Sequence, residues 1–318
     1  MLPAIHPFGI HVPMYGLMAV LGLCAYVVTY FVIVEKIEKV DRTSSNRLLL
    51  VSAIGFACLY IFAYLFNSLY HSIEKGKIVW GGITWLGGVL GAFPAILLCI
   101  HWLVPKARGN ELRHFSLMVP GIVLGHAFGR LGCFLGGCCF GKVTDGPFGV
   151  IFPAGSTAAL KYPGVDGASL PVYPTQLFEA VFELALFLVM VWGYKKLKEY
   201  NVSIYLGAYS VFRFLIEFLR GDDRGSLGAW LSPSQWSCIL LLITSVLLVL
   251  FQRGLLFRRL NEKCAQWRVT AQKTPTVIMG RHGMDHVAML RELQKLRDED
   301  IITAEEFQVK KEEILKRI

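Results

Sequence analysis

A chain of 318 residues could hold two ordinary soluble domains, but 54% of these residues are hydrophobic, only 17% are charged, and the mean hydropathy is +0.52. A typical globular protein is about 25% charged, so an ordinary soluble enzyme, a disordered chain, a coiled coil and a collagen are all excluded. Several apolar runs reach or approach the roughly 20 residues that cross a bilayer as helix, which leaves a polytopic membrane protein. The formal charge of +9 fits cytoplasmic loops facing anionic lipid, and no nucleic-acid partner is expected.

The stretch from Leu2 to Pro13 carries Pro and aromatic residues and is expected at the outer interface. It holds no Lys or Arg, so the first span reads as a retained helix rather than a cleaved signal peptide. Apolar runs then predict seven helices, over 14–34, 48–70, 83–104, 115–135, 174–193, 203–220 and 235–252. The connections alternate in charge. Segments 35–47, 105–113, 194–202 and 253–268 hold fifteen Lys and Arg between them, against five in 1–13, 71–82, 136–173 and 221–234. Basic residues stay on the cytoplasmic side, so the N-terminus is expected outside and the C-terminus inside. The longest outer connection, 136–173, is rich in Gly and Pro and is expected to cap that end of the bundle.

After Phe251 a basic stretch (Arg253, Arg258, Arg259, Lys263) leads into a polar linker and then a nearly neutral tail, Asp285–Ile318. Val287, Leu290 and Leu293 recur at helical spacing, as do Phe307 and Ile314, and Thr303 followed by Glu306 is a capping-box signal for a second helix. The organisation read from the sequence is therefore a transmembrane domain over 1–255, a linker over 256–284 and a small cytoplasmic helical hairpin over 285–318. The hairpin resembles the SHOCT module, which implies self-association rather than chemistry.

Six charges fall inside the predicted spans: Arg130, Arg213 and Arg220, with Glu179, Glu183 and Glu217. A charge in hydrocarbon costs at least ~2.5 kcal/mol, so such residues face a polar interior and pair. Arg213, Glu217 and Arg220 share one face of a continuous helix, and Glu179 and Glu183 repeat the four-residue spacing. Arg130 lies among Gly125, Gly129, Gly132, Gly136 and Gly137, where helices and lipid can approach closely. The charges could serve only to hold helices together. The sharper reading is a cavity for an anionic headgroup, because guanidinium binds phosphate through a planar fork of donors.

Four segments carry a family resemblance: Gly129-Arg130-Leu131-Gly132-Cys133-Phe134 through Gly141, Pro171-Val172-Tyr173-Pro174-Thr175-Gln176-Leu177-Phe178-Glu179, Arg213 with Glu217 and Arg220, and Met14-Tyr15-Gly16-Leu17. Together with Gly81-Gly82-Ile83-Thr84-Trp85-Leu86-Gly87-Gly88, they make residues 5 to about 250 resemble prolipoprotein diacylglyceryl transferase. The resemblance implies an all-α enzyme of the bacterial plasma (inner) membrane that moves diacylglyceryl from phosphatidylglycerol to the lipobox cysteine of prolipoprotein signal peptides, with no cofactor. It implies phosphatidylglycerol binding by Arg130, Arg220 and Gly141, and catalytic roles for Arg213, Glu217, Tyr15 and Glu179. Three positions depart from the family pattern: Leu86 stands where histidine is common, Cys133 where asparagine is, and Cys138 where glutamate is.

The reaction needs a thiolate, and a free thiol with a pKa near 8.5 is only slightly ionised at neutral pH. Preplaced Arg donors would stabilise the departing glycerol phosphate. Glu217, Glu179 and Tyr15 are the candidate bases, and His126, one turn before Arg130, is a candidate replacement for the histidine. Cys24, Cys58, Cys99 and Cys238 read as small core residues. Cys133, Cys138 and Cys139 cluster in sequence, but Cys-x4-Cys-Cys is not a standard zinc spacing. Packing is the favoured reading there, ahead of a disulfide, and no metal is expected. The alternative function is a non-catalytic lipid- or lipopeptide-binding paralogue with thiol-redox chemistry at Cys138-Cys139.

Overall fold

The computed structural model of the protein describes residues 4–5, 12–82, 84–221, 231–255, 286–298 and 302–315. Most of Leu2–Pro13, most of 221–234 and the linker 256–284, including Arg258, Arg259 and Lys263, lie outside the described residues, apart from a two-residue antiparallel pairing of Ala4–Ile5 with Val12–Pro13.

Seven long helices follow in chain order. They are α1 (Met14–Tyr30, continued by a π-helical segment Phe31–Ile37), α2 (Arg42–Lys75), α3 (Trp85–Leu103), α4 (Glu111–Leu135), α5 (Thr175–Trp192), α6 (Asn201–Ile216) and α7 (Pro233–Gln252). Six are long and apolar enough to cross a membrane, and α3 contributes a shorter apolar stretch, Gly87–Leu103. The protein is an all-α polytopic membrane protein.

Local chemistry moves two boundaries. The second helix starts at Arg42 rather than near residue 48 because Asp41 caps it, accepting from Ser44 N at 3.1 Å. Lys106 Nζ donates to the same carboxylate at 3.0 Å, and these two hydrogen bonds hold it below the ordinary carboxylate range. The sixth helix stops early. Glu217–Leu219 forms a 3-10 turn and Arg220 is extended (φ −68°, ψ 139°), so Arg220 does not share a helix face with Arg213 and Glu217 as its spacing suggested. The cause is a distant strand of chain: Lys142 N donates to Leu219 O at 2.7 Å, and Arg220 pairs antiparallel with Gly141.

The bundle closes where side chains are small. A Cβ on Gly22 of α1 would lie 3.0 Å from Gly125 O of α4, so these two helices touch backbone to backbone. The core around this contact includes Tyr26, Tyr30, Val119, Val123, Met190 and Leu206. The 136–173 connection folds on itself, with Phe140, Phe152, Ala158 and Val172 buried together and a one-turn helix, Thr157–Lys161, capped by Ser156. Tyr162 Oη donates to Gly221 O at 3.2 Å, which ties this connection to the chain leaving α6.

The described residues of the C-terminal unit include α8 (His286–Asp298) and α9 (Ala304–Leu315). Leu293, Leu296 and Phe307 are buried, and the Arg297 guanidinium lies 4.9 Å from the Phe307 ring. The capping box forms as its spacing predicts: Glu306 N donates to Thr303 Oγ1 at 3.2 Å, and Thr303 N donates to Glu306 Oε2 at 2.9 Å.

Candidate functional site

Three helices each bring polar side chains spaced four residues apart to one buried place. The fourth helix supplies His126 and Arg130, the fifth supplies Glu179 and Glu183, and the sixth supplies Tyr205, Tyr209 and Arg213, with Glu217 following in the 3-10 turn at its end. A side chain every fourth residue stays on one helix face, so each ladder points as a unit. Arg130 Nη2 meets Glu179 Oε1 at 2.7 Å, and Tyr209 Oη donates to the same oxygen at 2.9 Å. His126 Nδ1 lies 2.8 Å from Glu183 Oε1 and 3.2 Å from Tyr205 Oη. The rings of Tyr205 and Tyr209 stack at 5.6 Å, and His126 meets Tyr209 edge-on at 5.3 Å. Arg213 Nη1 pairs with Glu217 Oε2 at 2.6 Å, and Ser232 Oγ donates to Glu217 Oε1 at 2.8 Å.

The cluster is dry. Glu179 and Glu183 are 0% exposed, and Arg213 is 2% exposed. It is also incompletely satisfied, because among the described residues Arg130 Nε, Arg213 Nη2, Glu179 Oε2 and Glu183 Oε2 have no hydrogen-bond partner. Arg130 and Arg213 thus keep buried guanidinium donors without an acceptor among the described residues. Each arginine is already held by one carboxylate, Arg130 by Glu179 and Arg213 by Glu217, so neither guanidinium is a loose side chain.

The remaining candidate residues lie around this cluster in different ways. Tyr15 packs over Gly132, where a Cβ would sit 3.2 Å from Tyr15 Cδ2, but it is 53% exposed and no hydrogen bond joins it to the charged residues among those described. Gly141 and Arg220 form the splice between the 136–173 connection and the end of α6. A Cβ on Gly141 would lie 2.7 Å from Leu219 O and 2.8 Å from Tyr173 O, so glycine is required there by close backbone approach. Arg220 is buried beside it. Leu86 falls in the first turn of α3, and its side chain lies outside the described residues. Cys133, Cys138 and Cys139 are free and partly exposed. The sequence reading missed Tyr205 and Tyr209, although they continue the Arg213–Glu217 spacing backwards by four and eight residues.

The family described as prolipoprotein diacylglyceryl transferase matches residues 3–251, most of the chain. The chain belongs to the prolipoprotein diacylglyceryl transferase family. Among its relatives is the phosphatidylglycerol–prolipoprotein diacylglyceryl transferase 2 of Clostridium perfringens (strain 13 / Type A), 36% identical over 252 residues, which are 76% of this chain and 91% of that protein. A phosphatidylglycerol–prolipoprotein diacylglyceryl transferase of Stenotrophomonas maltophilia (strain R551-3) is 32% identical over 273 residues, 77% of this chain and 90% of the relative. One from Clostridium tetani (strain Massachusetts / E88) is 28% identical over 253 residues, 75% and 92% respectively. The segment that matches the prolipoprotein diacylglyceryl transferase family contains every residue of the buried cluster and ends before α8 and α9.

Proposed function

We propose that this protein transfers the diacylglyceryl group of phosphatidylglycerol to the lipobox cysteine thiol of prolipoproteins in the bacterial inner membrane. The observation that carries the reading is the pair of buried arginines, Arg130 and Arg213, with donors left over beside their carboxylates. Arg130 and Arg220 bind the lipid phosphate in this reading, and Gly141 serves that site by letting Arg220 approach. Arg213 stabilises the charge that grows on the leaving glycerol phosphate, oriented by Glu217 at 2.6 Å. Glu179 holds the Arg130 fork in place, and Tyr15, with its exposed ring at the edge of the cluster, is the candidate to meet the incoming protein thiol. The chain reads as a divergent member, because Leu86, Cys133 and Cys138 replace residues common in the family.

Complementation of a transferase-depleted bacterium, with mass analysis of a lipoprotein N-terminus, tests the reading. The expected result is growth with a diacylglyceryl-modified cysteine. Phosphatidylglycerol binding without any transfer would favour a non-catalytic lipid-binding paralogue, the reading to which Leu86 points.

The loop charges support an N-out, C-in orientation, with fifteen basic residues on one side against five on the other. A reporter fused after Ile318 is expected to be active as a cytoplasmic reporter and silent as a periplasmic one. The opposite pattern would reverse the orientation.

The C-terminal unit, which resembles a SHOCT module, is assigned to self-association. Every charge of the buried cluster lies before residue 221, so deleting residues 270–318 is expected to leave phosphatidylglycerol turnover unchanged and to lower the oligomeric mass measured by light scattering. A folded truncation that loses turnover would place the tail in the site.

A further inference from the structure

Three thiols that the phosphate chemistry does not use come together at the end of α4. The sulfurs of Cys133, Cys138 and Cys139 all lie within 4.8 Å of one another. Their sequence spacing does not announce this, because the convergence is made by the turn that follows the helix. Gly137 (φ 70°) reverses the chain, Cys138 N donates to Cys133 O at 3.1 Å, and Cys139 adopts a left-handed conformation (φ 62°) that L side chains seldom take. The first turn of α5 then clamps the result. Gln176 Nε2 donates to Cys138 O at 2.6 Å, and Thr175 Oγ1 donates to Cys139 O at 2.8 Å. Glu179, one turn along the same helix, holds Arg130 at 2.7 Å, and Arg130 precedes Cys133 by three residues on α4. The thiols are therefore about one helical turn from the arginine assigned to the lipid phosphate.

Packing alone explains small residues at these positions but not three convergent sulfurs. Zinc binds thiolates at about 2.3 Å in tetrahedral geometry, which sets its sulfurs about 3.8 Å apart, a small side-chain adjustment from the separation present. Among the described residues no fourth His, Cys, Asp or Glu joins the group, and all three thiols keep partial exposure. Three protein ligands with one position open to an incoming group is the arrangement of catalytic rather than structural zinc.

We propose that Cys133, Cys138 and Cys139 form a three-thiolate Zn²⁺ site whose open fourth position takes the cysteine thiol of the protein substrate. The identity of the fourth ligand rests on the transferase reading; the metal site does not. The substrate thiol loses its proton to solvent on coordination, because a metal-bound thiol is deprotonated. Its sulfur then attacks the glyceryl carbon. A C–S bond forms as the C–O bond to phosphate breaks, the electron pair leaves with glycerol phosphate, and no redox change occurs. The zinc remains on its three cysteines.

The test uses the full-length protein, purified in detergent under reducing conditions, stripped with a chelator and titrated with Co²⁺ as the spectroscopic probe. The expected result is one tightly bound Co²⁺ per chain, with a thiolate-to-cobalt charge-transfer band in the near ultraviolet and tetrahedral bands in the visible, all displaced by Zn²⁺. Cys133→Ser, Cys138→Ser and Cys139→Ser should each weaken Zn²⁺ binding at least tenfold, and the triple variant, shown by thermal melting to be folded, should lose the charge-transfer band. A lipobox peptide should shift the visible bands, and the same peptide with serine for cysteine should not. A folded triple variant that binds as tightly as the parent, or a disulfide within the three cysteines in cells alkylated before lysis, overturns the metal site. Unchanged visible bands with the thiol peptide, or full transfer by the chelator-stripped protein, overturns the open-position role while leaving the transferase reading intact. A protein that is inactive in both zinc-loaded and stripped forms, yet gives the full cobalt spectrum, keeps the metal site and sinks the transferase reading instead.

Discussion

Glu179→Gln is expected to destabilise the folded protein by about 3–5 kcal/mol, the range typical when one partner of a buried ion pair is removed. The substitution preserves shape and leaves a carbonyl to accept from Tyr209 Oη, which lies 2.9 Å from Glu179 Oε1. What it removes is the charge placed against Arg130 Nη2 at 2.7 Å, its one ion-pair partner among the described residues, in a site where the carboxylate is wholly buried. An arginine cannot shed its proton in response, so the cation remains in the bundle without compensation. Glu183→Gln supplies the internal control. It is buried to the same degree, but the side chain facing it at 2.8 Å is the imidazole of His126 and not a permanently charged guanidinium. Its loss is expected to cost no more than about 1–3 kcal/mol, the scale of a disrupted buried hydrogen bond. Unfolding titrations of both variants in the same micelles provide the comparison. Equal losses would mean that Glu179 acts as a hydrogen-bond acceptor and not as the counter-charge of Arg130.

The difference between these two glutamates was only half visible in the sequence. Charge balance inside the spans showed that the buried arginines need carboxylates, and four-residue spacing correctly paired Arg213 with Glu217, now 2.6 Å apart. Spacing within a helix could not say which glutamate reaches Arg130, because that choice depends on how α4 and α5 pack. The local capping box at Thr303 and Glu306 formed as read, since everything it needs lies within four residues. Arg220 was misplaced for the opposite reason. Its helix is ended by Lys142 and Gly141, nearly eighty residues earlier, whose backbones take up the pairing around Leu219 and Arg220. The cysteine group is the extreme case. Its spacing argued against a shared site, and convergence depends on two left-handed residues plus two side chains, Thr175 and Gln176, from the next helix. Periodicity carries information about faces; it carries none about splices between distant segments.

Arg130 is where the competing uses of a buried charge can be separated by experiment. Its ion pair with Glu179 is real, so part of its role is to hold α4 against α5. A lysine could do that part, since it keeps the charge beside the carboxylate. It could not present a planar fork, and the structure leaves Arg130 Nε without a hydrogen-bond partner among the described residues. If the free edge of the guanidinium holds the phosphate of phosphatidylglycerol, Arg130→Lys should stay folded with a near-normal melt and yet lose transfer by on the order of a hundredfold, as when one preorganised donor is removed from an active site. Arg130→Ala should lose transfer at least as badly and also melt earlier, because Glu179 is then buried without its partner. The two variants therefore diverge in stability and agree in activity. Purified protein, thermal melting, phosphatidylglycerol binding and diacylglyceryl transfer on both variants make the comparison. If the lysine variant binds and transfers near normally, the arginine is a packing charge only, and the phosphate site has to be sought at Arg213 and Arg220.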